Sequence, residues 1–191
     1  MFTKENREII WVAVIVLLTA AFRIFNAEAH IYNMVPVAAI GLFSGSILSQ
    51  KRWSYIIPLA AMFISDIGIS MVTSMPAFYG VSQIMNYAAL ALVTLMGTQL
   101  VKRNAISVLG YTLSGSMVFF LLSNLGTFLG GYYGYSTQGF TQCYLMAIPF
   151  YKNEFATQLF LNSFFGDLLF STVAFGFMYM ISRSRAIVQT A

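Results

Sequence analysis

The sequence predicts an all-α membrane protein with six transmembrane helices and both termini in the cytoplasm. Of its 191 residues, 59% are hydrophobic and only 8% are charged, which is far from the composition of a soluble domain. Four pairs of basic residues bound apolar stretches that can each hold two crossings. The pairs are Lys4/Arg7, Lys51/Arg52, Lys102/Arg103 and Arg183/Arg185. Because basic residues collect on the cytoplasmic side, an even number of crossings should separate successive pairs.

The first predicted helix, near residues 9–25, begins after the first basic pair and is long enough to cross a membrane. Together with Ala27-Glu28-Ala29 it imitates a secretory signal and its cleavage site. Arg23 and Glu28 fit poorly in the short neutral region before such a site. We therefore interpret the segment as a retained transmembrane helix, with cleavage as the alternative.

The second predicted helix, near residues 34–50, carries a ridge of small residues. Pro36 falls in its first turn, where a missing N–H costs little. Gly41, Gly45 and Ser49 then repeat every four residues, a spacing that favours close contact between helices. We expect this ridge to pack against another helix or against a partner protein.

The remaining helices are predicted from apolar length. The third and fourth lie near residues 54–72 and 78–100, and an external turn at residues 73–76 joins them. The fifth lies near residues 105–125. The sixth, near residues 155–181, is longer than one crossing needs and should be tilted or kinked.

An external segment at residues 126–154 interrupts this pattern. Residues 126–139 contain five glycines and three tyrosines, which predict a loop. Residues 140–151 form an apolar stretch that includes Pro149 and is too short to cross the membrane. We predict an interfacial or re-entrant segment here, within a single domain that covers residues 1–191.

Two carboxylates and one cation lie at membrane depth. Asp66 and Asp167 fall within the third and sixth helices, and Arg23 is the only basic residue placed to pair with Asp66. A carboxylate there costs about 2.5–3.5 kcal/mol on insertion scales, so each should face the bundle interior and have partners. Further polar side chains lie in the outer halves of the helices: Gln83, Asn86, Ser123, Asn124 and Asn162. They either line an outward-facing cavity for a small polar ligand or join the helices by hydrogen bonds.

Several function classes are excluded or disfavoured. A single cysteine, Cys143, and a single histidine, His30, exclude a multi-cysteine or multi-histidine metal site, and we predict no cofactor. The net charge of +4 sits at helix ends rather than on one stripe, so nucleic acid is not an expected partner. An aspartyl intramembrane protease is disfavoured because Phe164 and Ser65 stand where that family has glycine and tyrosine. We predict that the protein is not an enzyme.

Short motifs recur, in the same order, in a family of small bacterial membrane proteins. They are Pro36-Val37-Ala38-Ala39-Ile40 leading to Gly45, then Ser65-Asp66, Ser123-Asn124, Ala147-Ile148-Pro149-Phe150 and Gly166-Asp167-Leu168-Leu169. That uncharacterised family resembles the substrate-binding (S) components of energy-coupling-factor transporters, including the solitary S-component-like proteins linked to vitamin B12 uptake. The resemblance covers residues 20–180 and implies a six-helix bundle that binds a vitamin-like molecule at its outer face.

The chain departs from the resembled proteins at two places. The Ala-x-x-x-Ala surface that docks the energy-coupling module is absent from the first helix, where Leu17 stands four residues after Ala13. The ridge at Gly41, Gly45 and Ser49 is the alternative docking surface, unless the protein works alone. No cysteine stands near residues 78–80, where cobalamin-linked members bring one to the metal.

Together these observations predict a substrate-capture protein in the bacterial cytoplasmic (inner) membrane. Its partners would be a vitamin-like ligand, the lipid bilayer and an energy-coupling module or other membrane subunits. The predicted ligand-binding residues are Arg23, His30, Asn33, Asp66, Tyr79, Asn124 and Asp167, with Tyr79, His30, Asn33 and the loop at 126–135 covering the site. The alternative is a structural or assembly subunit of a larger membrane complex, in which the small-residue ridge contacts the partner.

Overall fold

The described part of the chain forms seven helices. The computed structural model describes the backbone of residues 4–29, 31, 36–148 and 154–190, and the side chains of 5–29, 31, 36–148 and 161–180. All regular structure within these ranges is helical. The helices are α1 (Lys4–Glu28), α2 (Val37–Ile47), α3 (Lys51–Val72), α4 (Val81–Gln99), α5 (Ala105–Leu129), α6 (Thr137–Ala147) and α7 (Glu154–Thr190).

Five helices (α1, α3, α4, α5 and α7) contain segments that are long and apolar enough to cross a membrane. Their outward faces carry large exposed hydrophobic side chains, for example Leu18 on α1, Ile64 on α3 and Leu169 on α7. Exposure of so much apolar surface to water is energetically unfavourable, whereas contact of that surface with lipid is favourable. The chain is therefore an all-α, multi-pass membrane protein.

The second predicted helix is shorter in the structure than the 34–50 expected from its apolar run. α2 contains 11 residues, which span about 16 Å, roughly half of the hydrocarbon core. Ten of its 11 residues are buried. The helix lies at the centre of the bundle, where Phe43 packs edge-to-face against Phe170 and Phe175 of α7.

Two residues of the small-residue ridge, Gly41 and Gly45, make the predicted close contact with another helix, so the alternative of a partner protein at these two positions does not apply. Gly41 approaches Leu90 and Thr94 of α4, and a Cβ added at Gly45 would collide with the Thr94 carbonyl oxygen. Gly97 of α4 approaches the α2 backbone equally closely from the other side. Because glycine lacks a side chain at the crossing point, the two backbones come into contact. α4 therefore already occupies this surface.

A proline in α3 is compensated by a side chain from α2. Pro58 has no N–H, so the carbonyl oxygen of Ser54, four residues earlier, loses its intrahelical partner. Ser44 on α2 donates its Oγ–H to that oxygen at 2.5 Å. This replacement satisfies a carbonyl group that has no access to water.

The helix ends that carry the first three basic pairs meet at one end of the bundle. Ser49 and Gln50, which join α2 to α3, donate hydrogen bonds to Glu8 and Glu5 at the start of α1. Arg103, between α4 and α5, donates to the carbonyl oxygen of Ser46. These contacts place the start of α1, the α2–α3 link and the α4–α5 link side by side.

The segment after the fifth predicted helix is more helical than expected. The sequence predicts that Gly126 lies in a loop, whereas in the structure α5 continues to Leu129. Here the glycine permits a close approach to Ser82 and Met85 of α4, and Ser82 Oγ donates to the Gly126 carbonyl oxygen at 3.0 Å. The predicted short apolar segment begins as α6, capped by Ser136, whose Oγ accepts from the Gly139 N–H at 3.0 Å.

Candidate functional site

An ion pair inside the bundle links α1 to α3. Arg23 Nη1 lies 2.5 Å from Asp66 Oδ1, and their side chains are 17% and 3% exposed. The same Nη1 donates to Ser65 Oγ at 2.5 Å and to the Met62 carbonyl oxygen at 3.3 Å. The predicted pairing of Arg23 with Asp66 is confirmed. A cation and an anion at this depth are tolerated because each supplies the other's countercharge.

The second oxygen of Asp66 is held by α4. Gln83 and Tyr87 lie four residues apart, on one face of that helix, and both point to α3. Gln83 Nε2 and Tyr87 OH donate to Asp66 Oδ2 at 3.2 Å and 2.9 Å. Both carboxylate oxygens therefore have partners, and all of them are side chains.

Tyr79 and Asn86 complete this group at the end of the loop between α3 and α4. Asn86 Nδ2 donates to Tyr79 OH at 3.4 Å. Burial raises the pKa of the Tyr79 phenol, and hydrogen bonds from Asn86 and Arg23 partly offset that effect. Asn86 Oδ1 is buried and has no hydrogen-bond partner in the part of the chain that the structure describes. We call these residues the Arg23 cluster: Arg23, Ser65, Asp66, Tyr79, Gln83, Asn86 and Tyr87.

A small cavity adjoins the Arg23 cluster between α1, α2, α3 and α4. Its volume is about 20 Å³, which is room for about one water molecule. Arg23 and Ser65 lie on its wall beside apolar side chains such as Met62 and Leu90. Sites for small organic ligands are about 300–1,000 Å³. A ligand could enter the cluster only after the surrounding helices or the Tyr79 loop moved.

Asp167 lies at a different site, against the first turn of α2. Its Oδ1 accepts the Ala39 N–H at 3.0 Å, and its Oδ2 accepts Ser116 Oγ–H of α5 at 2.6 Å. The first N–H groups of a helix have no intrahelical partner, and Pro36 at the N-cap supplies no side-chain cap. Asp167 of α7 therefore caps α2 from across the bundle.

The two ends of α2 carry complementary charges. Asp167 faces its N-terminal end, where the helix dipole is positive. At the opposite end, Lys51 Nζ donates to the carbonyl oxygens of Gly45 and Leu48, each at 3.3 Å. Arg103 reaches the same turn. This arrangement allows a helix with few intrahelical hydrogen bonds to remain stable at membrane depth.

Asn124, a further predicted ligand-binding residue, bonds elsewhere than in the Arg23 cluster. Asn124 donates through Nδ2 to the Phe120 carbonyl oxygen at 2.8 Å, within α5. Its own backbone carbonyl oxygen accepts from Cys143 Sγ of α6 at 3.4 Å. His30 and Asn33 lie outside the described residues. The predicted set therefore divides into the Arg23 cluster, the Asp167 cap and the Asn124 contact.

Comparison with known proteins assigns the chain to a family. A protein-family model matches residues 3–189. The chain belongs to a family of unknown function (DUF6580). No curated protein and no solved structure matches it. The match runs from before α1 into the last turn of α7, so the Arg23 cluster and the Asp167 cap both lie in the DUF6580 region.

Sequence reasoning missed two members of the cluster in this DUF6580 protein. Ser65 and Tyr87 both bond directly within it. Tyr87 looked like one more apolar residue of a membrane helix. Its spacing of four from Gln83 was the available signal, since that spacing places both polar groups on one face. Within the described residues, no three His, Cys, Asp or Glu side chains come together to hold a metal ion.

Proposed function

We propose that this protein is a membrane-embedded substrate-capture protein for the uptake of a vitamin or similar micronutrient. It would act in the manner of an energy-coupling-factor S component. The observation that carries the proposal is the Arg23 cluster, which contains a buried ion pair and a buried amide oxygen that has no partner among the described residues. Ionisable residues within membrane spans are costly, and they mark substrate and ion pathways.

In this proposal the chain crosses the bacterial cytoplasmic membrane six times, and both termini face the cytoplasm. α2 lies within the second predicted crossing. The end that gathers the α2–α3 and α4–α5 links carries basic pairs, which favours the cytoplasmic side for that end. The Arg23 cluster lies toward the opposite end and would face the outside.

The proposal divides the predicted residues into two roles. Arg23, Asp66 and Tyr79 would contact the ligand, because their partners include side chains that can exchange hydrogen bonds with it. Asp167 would instead hold α2 in place, because it bonds to a backbone N–H. His30 and Asn33 stay as predicted contacts from the first external loop.

The proposal is tested by extracting the protein, purified in mild detergent, and searching the extract for a stoichiometric small molecule by mass spectrometry. We expect such a molecule from the wild-type protein and less of it from Asp66→Asn, which should remain folded. Glu8→Gln, which alters a half-buried carboxylate at the other end of the bundle, is the matched control. An empty extract, with no thermal stabilisation by added vitamins, would refute the proposal.

One observation favours a second candidate, a structural or assembly subunit without a ligand. The cavity beside Arg23 holds only about one water molecule, at about 20 Å³. Because α4 covers the ridge on α2, the partner would have to contact an outward face of the bundle. Copurification of a stoichiometric membrane partner, together with an empty extract, would favour this candidate.

A further inference from the structure

The Arg23 cluster has hydrogen-bonding capacity left over after its own members are paired. The contacts of Arg23 to Asp66, Ser65 and Met62 all use Nη1. A guanidinium has five N–H donors, and within the described residues these contacts leave the donors on Nε and Nη2 for Tyr79 and for a ligand. Tyr79 OH accepts from Asn86, which leaves its own hydrogen free to donate.

The acceptor that remains is Asn86 Oδ1. It is buried, and the described part of the chain gives it no donor. A buried carbonyl oxygen left unpaired costs about 1–3 kcal/mol, so a partner for it is expected. The neighbouring Nδ2 is directed at Tyr79 OH, which fixes the orientation of the amide with its oxygen away from the tyrosine.

The charge balance of the cluster constrains what can fill these positions. Arg23 already has a counterion in Asp66 at 2.5 Å, so the pair is neutral as a unit. An anionic ligand would add an uncompensated negative charge beside Asp66, at membrane depth, where such charges are costly. A neutral group adds no net charge.

We infer that the ligand presents a neutral amide-like edge to this site, as in a carboxamide, lactam or cyclic ureide. The inference rests on the proposed function and deepens it. The carbonyl oxygen of the edge accepts from Arg23 or Tyr79, and its N–H donates to Asn86 Oδ1. Tyr79 lies at the end of the α3–α4 loop beside Gly80, whose φ of 68° is unstrained only for glycine. Movement of this loop opens the site.

The test compares two asparagines of the same bundle. Asn86→Leu removes the unpaired oxygen, and Asn124→Leu removes an amide whose Nδ2 bonds within its own helix. For each variant, the measurements are the amount of small molecule that copurifies and the thermal stabilisation by nicotinamide, uracil or nicotinate. Nicotinate matches nicotinamide in shape but replaces the amide with a carboxylate.

We expect the copurified molecule to carry an amide-like edge. Its retention, and any stabilisation by nicotinamide or uracil, should fall about tenfold or more in Asn86→Leu and persist in Asn124→Leu. A bound molecule without that edge, retention unaffected by Asn86→Leu, or stabilisation by nicotinate alone would overturn the inference and leave the proposed function standing. No copurified molecule and no stabilisation of the wild-type protein would overturn both.

Discussion

Replacing Arg23 with methionine removes the cation that pairs with Asp66, and we expect a large loss of stability. The carboxylate is only 3% exposed and lies 2.5 Å from the guanidinium. Removing one partner of a buried pair costs about 3–5 kcal/mol, because the other charge is left uncompensated. Gln83 and Tyr87 still donate to Asp66, so the expected loss is at the lower end of this range, about 3 kcal/mol.

The double variant separates this charge effect from lost packing. Asp66→Asn alone should also cost about 3 kcal/mol, because Arg23 loses its countercharge but keeps its bonds to Ser65 and Met62. In Arg23→Met/Asp66→Asn no charge is left buried. We expect the double variant to be more stable than the sum of the single losses by about 2 kcal/mol or more.

Reversible unfolding in mixed detergent micelles, followed by circular dichroism, measures these free energies. Glu8→Gln is the control and should change the unfolding free energy by less than about 0.5 kcal/mol. Additive single losses, or a loss below about 1 kcal/mol for Arg23→Met, would show that the charges do not stabilise each other.

Three further outcomes follow from other parts of the bundle. Asp167→Leu leaves the Ala39 N–H without an acceptor and should lower the unfolding free energy by about 1–3 kcal/mol, whereas Asp167→Asn should lower it less. Asp167→Asn should also leave ligand retention unchanged, and a drop in retention would place Asp167 in the binding site. Gly45→Val at the α2–α4 crossing should lower the unfolding free energy by about 1–3 kcal/mol or prevent folding, whereas Gly110→Val, at a position that faces open space, should do neither. Equal effects of the two variants in a thermal-shift assay would contradict the close crossing. Burial raises the pKa of the Cys143 thiol, so in the folded protein maleimide should alkylate it slowly, at a rate that still rises with pH after an exposed thiol is fully ionised. Fast labelling whose rate levels off near pH 9 would show an accessible thiol.

The sequence predicted the long helices well because one physical signal decides them. An apolar run bounded by charges must cross the membrane as a helix, so α1, α3, α4 and α5 begin and end within about six residues of the predicted bounds. The Arg23–Asp66 pair was also predictable, since no other cation lies at that depth. α2 was predicted too long because its apolar run continues past the residues that form the helix.

The partner of Asp167 could not have been predicted in the same way. It is a backbone N–H, 128 residues distant in sequence, and a backbone group leaves no mark in the sequence. For a related reason, the sequence could not show which helix packs against the α2 ridge. Gly41 and Gly45 indicate that something approaches closely, but the spacing is the same for a helix of the same chain as for a partner.

The two buried carboxylates obtain hydrogen-bond partners at membrane depth by different means, and the difference indicates where a ligand can bind. Asp167 bonds to the backbone of α2, so displacing it would leave a helix end unsatisfied inside the membrane. Within the described residues, Asp66 bonds only to the side chains of Arg23, Gln83 and Tyr87, which can rotate and exchange partners without disturbing a helix. A ligand that enters the bundle should therefore rearrange α1, α3 and α4 around Asp66. α2 should remain fixed, and hydrogen exchange should show ligand-dependent protection at the Tyr79 loop but not in α2.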